Sequence, residues 1–384
     1  MKTLTTTASA TALATLMALG LAGTATAEIK IGASVSETGP AAFLGDPEAK
    51  TLKMLVEDIN ANGGVNGEPI ELVIYDDGGD PNKARTFATR LVEDDEVVAI
   101  VGGTTTGTSM AIIPVAEDAE VPFISLAGAI EIIDPVKPFV FKTPHTDRMA
   151  CAKIFEDMQK RQISKIGMIS GTDGFGASMR NQCLSIVGDY GIEVLADESY
   201  GPQDADMTPQ LTNIKGSDGI QAILNPGFGQ GPSIVTRNYA QLAIDLPLYQ
   251  SHGVASKGFI ELAGVAAAEG VRLPGNALLV PDLLAGDDPQ KPVVTAYKTM
   301  FEDKTGTPVG TFGGYAHDGL RILVDAITRA GSTEPVAIRD AIEATSGLVG
   351  TTGIYTMSSG DHLGLDLSAF RMLEIRNGEW TLVE

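Results

Sequence analysis

The segment Gly102-Gly103-Thr104-Thr105-Thr106-Gly107-Thr108-Ser109 packs five hydroxyls and three glycines into eight positions, between an apolar strand-like run and a helix-like one. Glycine lets a backbone approach a ligand closely. Hydroxyls beside the unpaired N–H groups and positive dipole end of a helix make a seat for a carboxylate. Open α/β sheets place ligands at the carboxyl ends of their strands, where this segment falls. Plain helix capping by Thr or Ser would look the same, so the segment gains functional meaning only together with the rest of the chain.

Signatures of catalysis are missing. The sequence has no GxxxxGK[ST], no GxSxG and no HExxH. Asp76-Asp77-Gly78-Gly79-Asp80 clusters carboxylates without the alternation and closing Glu of a calcium loop. Gly227-Phe228-Gly229-Gln230-Gly231 falls short of a dinucleotide fingerprint, and His145, His252, His317 and His362 have no metal spacing. The expectation is therefore no metal, no cofactor and no enzyme. A scattered hydrolase triad is neither supported nor excluded by such a search.

The chain has 384 residues, with 27 Lys+Arg against 49 Asp+Glu and a formal charge of −22. That acidity argues against nucleic acid and against anionic membrane surfaces. Residues 1–27 read as a signal peptide: Lys2, an Ala/Leu-rich stretch from about Ala8 to Ala22, then Ala25-Thr26-Ala27, with cleavage expected after Ala27. The apolar stretch is shorter than the ~20 residues a spanning helix needs. An exported protein permits disulfides; Cys151 and Cys183, 32 positions apart, are either bridged or two buried thiols.

Strand and helix signals alternate from Glu28 onward. Strands are expected at Ile29–Val35, Ile70–Tyr75, Val97–Val101, Val121–Leu126, Lys165–Ser170, Ile192–Ala196, Gly219–Leu224, Leu246–Gln250 and Ala277–Pro281. Asp46-Pro47 supplies an N-cap and first-turn proline for a helix carrying Leu52, Leu55, Val56 and Ile59 on one face. Further helices are expected at Pro81–Glu96, Thr108–Ala119, Asp147–Gln162, Gly176–Tyr190 and Phe312–Ala330, and the last forty residues read as turns and strands. Repeated βα units mean an α/β class with doubly wound parallel sheets.

The sequence closely resembles the extracytoplasmic solute-binding proteins of branched-chain amino acid-type ABC transporters, the leucine/isoleucine/valine-binding kind. The likeness is carried by IKIGASVSETGPAAFLGDPEAKTLKMLVEDINANGGVNG, IYDDGGDPNKA, AIVGGTTTGTSMAIIP before VPFISLAGA, VFKTPHTD, KIGMISGTDGFGASM and LVGTTGIYTMSSGDHLG. It implies two flavodoxin-like lobes joined by three hinge crossovers, as in type I periplasmic binding proteins. Lobe I would hold residues 28–147 and 277–354, and lobe II residues 148–276 and 355–384. The protein would be a periplasmic monomer that binds its solute between the lobes and delivers it to separate permease and ATPase subunits.

Carried over residue by residue, the resemblance puts the carboxylate-clamping hydroxyl on Thr106, with Thr105 before it, and backbone donors on Ala127-Gly128-Ala129. Phe43 and Leu44 would cover the pocket from the first loop, and Phe175 and Phe228 from the second lobe. Leucine-type members often bridge two Cys at the places held here by Gly79 and Thr105. The acidic residue that receives a ligand's ammonium is replaced by His252, and the accompanying hydroxyl by Ala129. Histidine is never anionic, and burying an unpaired ammonium costs several kcal/mol. The expected ligand is thus a hydrophobic carboxylate without an amino group, such as an aromatic acid or a keto acid. A branched-chain amino acid is the alternative, with Glu131 or Asp173 supplying the missing charge. A sensory receptor and an exported hydrolase are the remaining readings.

Overall fold

The computed structural model describes residues 28–383, so the expected signal peptide lies outside the described residues. The chain first lays down β1 (Ile29–Val35), β2 (Ile70–Asp76), β3 (Ala99–Gly102), β4 (Phe123–Ser125) and β5 (Val140–Lys142). Helices α1 (Ala42–Ala61), α2 (Pro81–Glu93) and α3 (Thr106–Asp118) connect them. The five strands are parallel, in the order β2-β1-β3-β4-β5. A strand such as AIVG is buried at every position, as expected where helices cover both faces of a sheet.

The same winding then repeats. Helix α4 (Asp147–Lys160) leads into β6 (Lys165–Gly171), α5 (Gly174–Ile186), β7 (Glu193–Tyr200), α6 (Thr208–Gly216) and β8 (Ala222–Asn225). These are followed by α7 (Gly231–Gln241), β9 (Leu248–Gln250), the short α8 (Lys257–Ala263) and α9 (Val265–Ala268), and β10 (Arg272–Gly275). The chain continues through α10 (Gln290–Thr305), α11 (Thr311–Ala330) and α12 (Pro335–Glu343), the small ribbon β11 (Leu348–Val349) and β12 (Ile354–Tyr355), then β13 (Arg371–Arg376) and β14 (Glu379–Leu382). The second sheet runs β14-β13-β10-β9-β8-β6-β7, parallel except where β13 pairs with β10 and β14. Within each sheet the five parallel strands follow the order second-first-third-fourth-fifth, the doubly wound flavodoxin arrangement. The fold is α/β with two such lobes.

The chain passes between sheets after β5, after β10 and between β12 and β13. Helix α11 returns to the first core, where Phe312, Tyr315, Ala316 and Leu320 join Ile31, Val101 and Phe141. Helix α10 straddles the division. Its Val294, Tyr297 and Phe301 belong to the second core, yet Tyr297 Oη lies 2.7 Å from Thr51 Oγ1 of α1. Cys151 of α4 and Cys183 of α5 form a disulfide.

Some expectations are corrected. Helix α1 starts at Ala42 rather than at Asp46-Pro47, and Pro47 sits inside it. So near the N-terminus the ring forfeits only one helical hydrogen bond. Helix α3 begins at Thr106 rather than Thr108, because Thr105 is the cap. The strand expected at Ala277–Pro281 is instead a pair of 3₁₀ turns, and the true strand is Arg272–Gly275. Pro274 disguises it, since proline cannot donate to a ladder; the strand's pairing to β9 is confined to Arg272 opposite Tyr249. Helices α6, α7, α10 and α12 fall outside the expected elements, although Pro209, Pro232 and Pro335 stand in the first turns of α6, α7 and α12.

Candidate functional site

Leaving the carboxyl ends of their strands, segments from both sheets converge on one cleft of about 420 Å³, part of it open to solvent. From the first sheet come Leu44 beyond β1, Thr104, Thr105 and Thr106 beyond β3, Leu126, Ala127 and Gly128 beyond β4, and Pro144 beyond β5. The second sheet sends Phe175 beyond β6, Phe228 beyond β8, and His252 with Gly253 beyond β9. Phe312 and Tyr315 from the start of α11 complete the lining.

The hydroxyl segment is held by its own chemistry. Gly103 turns the chain at φ +67°, where a side chain would run into Ser109. Ser109 Oγ donates to Gly103 O at 2.6 Å. Thr105 and Thr108 form a capping box, in which Thr105 Oγ1 accepts from Thr108 N–H at 3.1 Å and Thr105 N–H donates to Thr108 Oγ1 at 3.0 Å. Thr105 is thereby spent as a cap. Thr106 Oγ1, in contrast, is buried and has no partner within the protein, and the N–H groups of Thr106 and Gly107 have no carbonyl one turn earlier to bond. Together these form a donor set aimed at an anion.

Aromatic rings close a circuit around the cleft. Phe43 stacks on Phe228 (6.4 Å between centroids), Phe228 meets Phe175 edge-on (6.1 Å), and Phe175 meets His252 (5.4 Å). His252 packs against Phe370, which stacks on His145 at 4.0 Å. His145 meets Tyr315, Tyr315 meets Phe312, and Phe312 returns to Phe43 at 5.8 Å. Four rings come from each side of the division drawn from the sequence if His145 is counted with lobe I.

Electrostatically the cleft wall carries no carboxylate. Burial holds the His252 imidazole well below its ordinary pKa, with His145 and Lys142 adding to the effect, so the ring is neutral. His145, wholly buried with neither ring nitrogen bonded to a side chain, is pushed down to about 3 by burial. Lys142, at the end of β5, is fully buried and lowered to about 7 by desolvation against the partial support of Asp147; its Nζ donates to Ala129 O at 3.1 Å. At the crossover, Asp318 accepts from Thr351, Thr352, His317 and Tyr355, and Tyr355 Oη also donates to Thr143 O at 3.0 Å. Burial would raise the Asp318 pKa, but the His317, Thr352 and Thr351 donors prevail and it is lowered. Among the described residues no cluster of His, Cys, Asp and Glu could hold a metal ion.

The model of a family described as periplasmic binding protein matches residues 28–379. This chain belongs to the periplasmic binding protein family. It is 26% identical over 344 residues to the leucine-, isoleucine-, valine-, threonine- and alanine-binding protein of Pseudomonas aeruginosa, covering 89% of each chain. With the Leu/Ile/Val-binding protein homolog 7 of Brucella abortus it shares 27% over 355 residues, covering 87% of this chain and 85% of that one. Among solved structures, an extracellular ligand-binding receptor from Rhodopseudomonas palustris HaA2 superposes with a TM-score of 0.86 at 27% identity, over 93% of this chain and all of the other. The branched-chain amino acid transporter substrate binding protein LivJ of Streptococcus pneumoniae, solved with isoleucine, has the same fold, with a TM-score of 0.83 at 24% identity over 93% of this chain and 99% of its own.

In this periplasmic binding protein the cleft brings together Leu44, Thr105, Thr106, Ala127, Phe175, Phe228 and His252 of the residues expected from sequence. Phe43 stands outside the lining, 36% exposed, as an outer buttress of Phe228 and Phe312. Ala129 is buried away from the cleft, and its carbonyl serves Lys142. The Ala127 N–H is already donated to Ser125 Oγ at 3.2 Å. Of the acids considered as substitutes, Glu131 is exposed and Asp173 caps α5 through the Phe175 and Gly176 N–H groups; neither lines the cleft. Thr104, Leu126, Pro144, Gly253, Phe312 and Tyr315 were missed. For Phe312 and Tyr315 the only available signal was their place at the start of a strongly patterned helix, which reads as core.

Proposed function

We propose that this periplasmic binding protein is the solute-receiving component of an ABC importer of the branched-chain amino acid type, and that it takes a small apolar molecule docked by a carboxylate. One observation carries the reading: the unpartnered Thr106 hydroxyl, at a helix N-terminus, opens into a cleft otherwise walled by Leu44, Phe175, Phe228 and Phe312. Binding without turnover is supported by membership of a family of binding proteins. The division into residues 28–147 with 277–354 and 148–276 with 355–384 is part of this proposal, supported by the crossovers after β5, after β10 and between β12 and β13, although α10 packs Val294, Tyr297 and Phe301 into the second core. Cleavage after Ala27 and action as a monomer belong to the same proposal, and the family supports partnership with a permease and ATPase.

Two ligand classes fit the carboxylate seat. The names of the relatives from Pseudomonas and Brucella favour a branched-chain amino acid, and that class has the better backing from comparison. A specific feature of the cleft favours an aromatic or keto acid: its lining holds no acidic residue, and the second-lobe position suited to one holds neutral His252. A thermal-shift screen of leucine, isoleucine and valine against 4-methyl-2-oxopentanoate and benzoate decides between them, because a ligand that binds only the folded state raises the melting temperature. A response to leucine alone selects the amino acids, and a response to the acids alone selects the second class. Silence from both groups, or conversion of a bound compound in proportion to protein, overturns the function proposed.

A further inference from the structure

Behind the hydroxyl wall, Glu48 of α1 is completely buried. Its Oε2 lies 2.6 Å from Thr104 Oγ1, and its Oε1 has no partner. Thr104 Oγ1 also accepts the Ser36 N–H at 2.9 Å, and Thr104 itself lines the cleft. The charged groups around Glu48 offer it no cation. Asp77, beyond β2, already accepts from Ser34 Oγ, Ser36 Oγ and Gly79 N–H. On α1, Lys50 pairs with Asp46 at 2.7 Å. On α11, packed along α1, His317 and Asp318 bond each other at 2.8 Å. A carboxyl so placed keeps its proton, since neither solvent nor a cation is there to stabilise the charge.

Valence then settles where the protons point. A hydroxyl has one donor and two acceptor lone pairs. A proton on Glu48 Oε1 would be buried without a partner, whereas one on Oε2 donates to Thr104 Oγ1, whose second lone pair is filled by Ser36 N–H. The Thr104 proton is left to turn into the cleft. An ionised Glu48 would reverse this, drawing the Thr104 proton inward and setting a negative charge directly behind the anion seat. We propose that Glu48 is a positioning residue, kept as a neutral acid, that aims the Thr104 hydroxyl at the ligand's carboxylate and so couples capture of an anion to retention of its own proton. The proposal rests on the reading that a carboxylate docks at residues 102–109. Burial raises the Glu48 pKa well above the carboxylate range, and Asp77 adds to this against the smaller opposing effect of Thr104. A bound anion raises it further. Affinity therefore holds steady while free Glu48 is protonated and falls at higher pH, where a proton must be taken up with the ligand.

Two measurements test this. The infrared difference spectrum of the ligand-free protein, wild type minus Glu48→Gln, should show the carbonyl band of a protonated carboxyl at neutral pH; an ionised-carboxylate band in its place overturns the proposal whatever the ligand is. Calorimetry with 4-methyl-2-oxopentanoate and with leucine, followed to alkaline pH, should show wild-type affinity falling about tenfold per pH unit once Glu48 ionises. Glu48→Gln, whose amide N–H can donate to Thr104, should bind without that decline, while Glu48→Met and Thr104→Val should lose about tenfold at every pH. Lys142, His145 and His252 are the same in all four proteins, so the wild-type/Gln difference isolates Glu48. Identical pH profiles for wild type and Glu48→Gln overturn the coupling. Failure of both probes to bind wild type overturns the proposed function instead, and the infrared result still decides the state of Glu48.

Discussion

At the scale of the residue, the position held by His252 sets which ligands are acceptable. Its ring is neutral and its Nε2 faces the Gly128 loop across the cleft. An acidic side chain there would give an ammonium the partner that the lining lacks, with Lys142 close enough to limit the cost of burying it. His252→Glu should therefore shift the preference between leucine and 4-methyl-2-oxopentanoate at least tenfold toward leucine, whichever the wild type prefers; competition calorimetry checks it, and an unchanged ratio would remove His252 from the specificity set. Lys142 permits a second residue-level prediction. Its amine titrates near 7 in the fold, against 10.5 ordinarily. Between those values the unfolded chain binds the extra proton, so stability rises with pH through that window, and the full penalty applies below about pH 7. Lys142→Met, similar in length and uncharged, should stabilise the protein by a few kcal/mol at acid pH, and the gain should shrink toward about pH 10. Urea denaturation of both proteins across that range measures it.

The elements were more legible than the site, and for a physical reason. Strands such as Ile29–Val35 and helices such as Pro81–Glu93 announce themselves through local signals: an apolar run, or an aspartate cap before a proline. Site residues just beyond a strand end, such as Thr106, Phe175 and His252, were reached through the family resemblance, which carries over position by position where a short loop keeps the residue close to its strand. Tyr315, Phe312 and Phe370 were not, since only long-range packing brings α11 and the segment before β13 to the cleft. Ala129 failed because one more residue along a loop changes which way it faces. Pairing of Cys151 with Cys183 was also left open by sequence, yet it fixes α4 against α5. Phe175 lies in the first turn of helix α5, so the crosslink steadies an element that presents a cleft residue. Changing both cysteines to serine should lower stability by about 2–4 kcal/mol, read as a lower melting temperature, with reductant lowering the wild type to match. Equal melting with and without reductant would show that the crosslink contributes nothing to stability.

For the whole molecule, the arrangement of the lobes is that of a closed trap. Gly128 of the first lobe lies against Phe175 and His252 of the second, so closely that a Cβ there would sit 2.8 Å from a Phe175 ring carbon and 3.1 Å from His252 Nε2. Gly174, at the start of α5, stands similarly near Thr106 and Gly107, with 3.7 Å to a Cβ. These contacts join the two lobes, and a ligand that touches both lobes stabilises the state in which they meet. Gly128→Ala tests this separately from ligand chemistry. The nearest atoms that the added methyl would meet are all on Phe175 and His252 of the second lobe, so it obstructs closure. Because the obstruction lies between the lobes, the loss of ligand affinity should exceed any loss of stability in the ligand-free variant, read as its melting temperature. Its affinity should fall tenfold or more, and small-angle scattering should show less compaction at saturating ligand than in the wild type. Full wild-type affinity in Gly128→Ala would mean that the ligand is held by one lobe alone and that closure contributes nothing to capture.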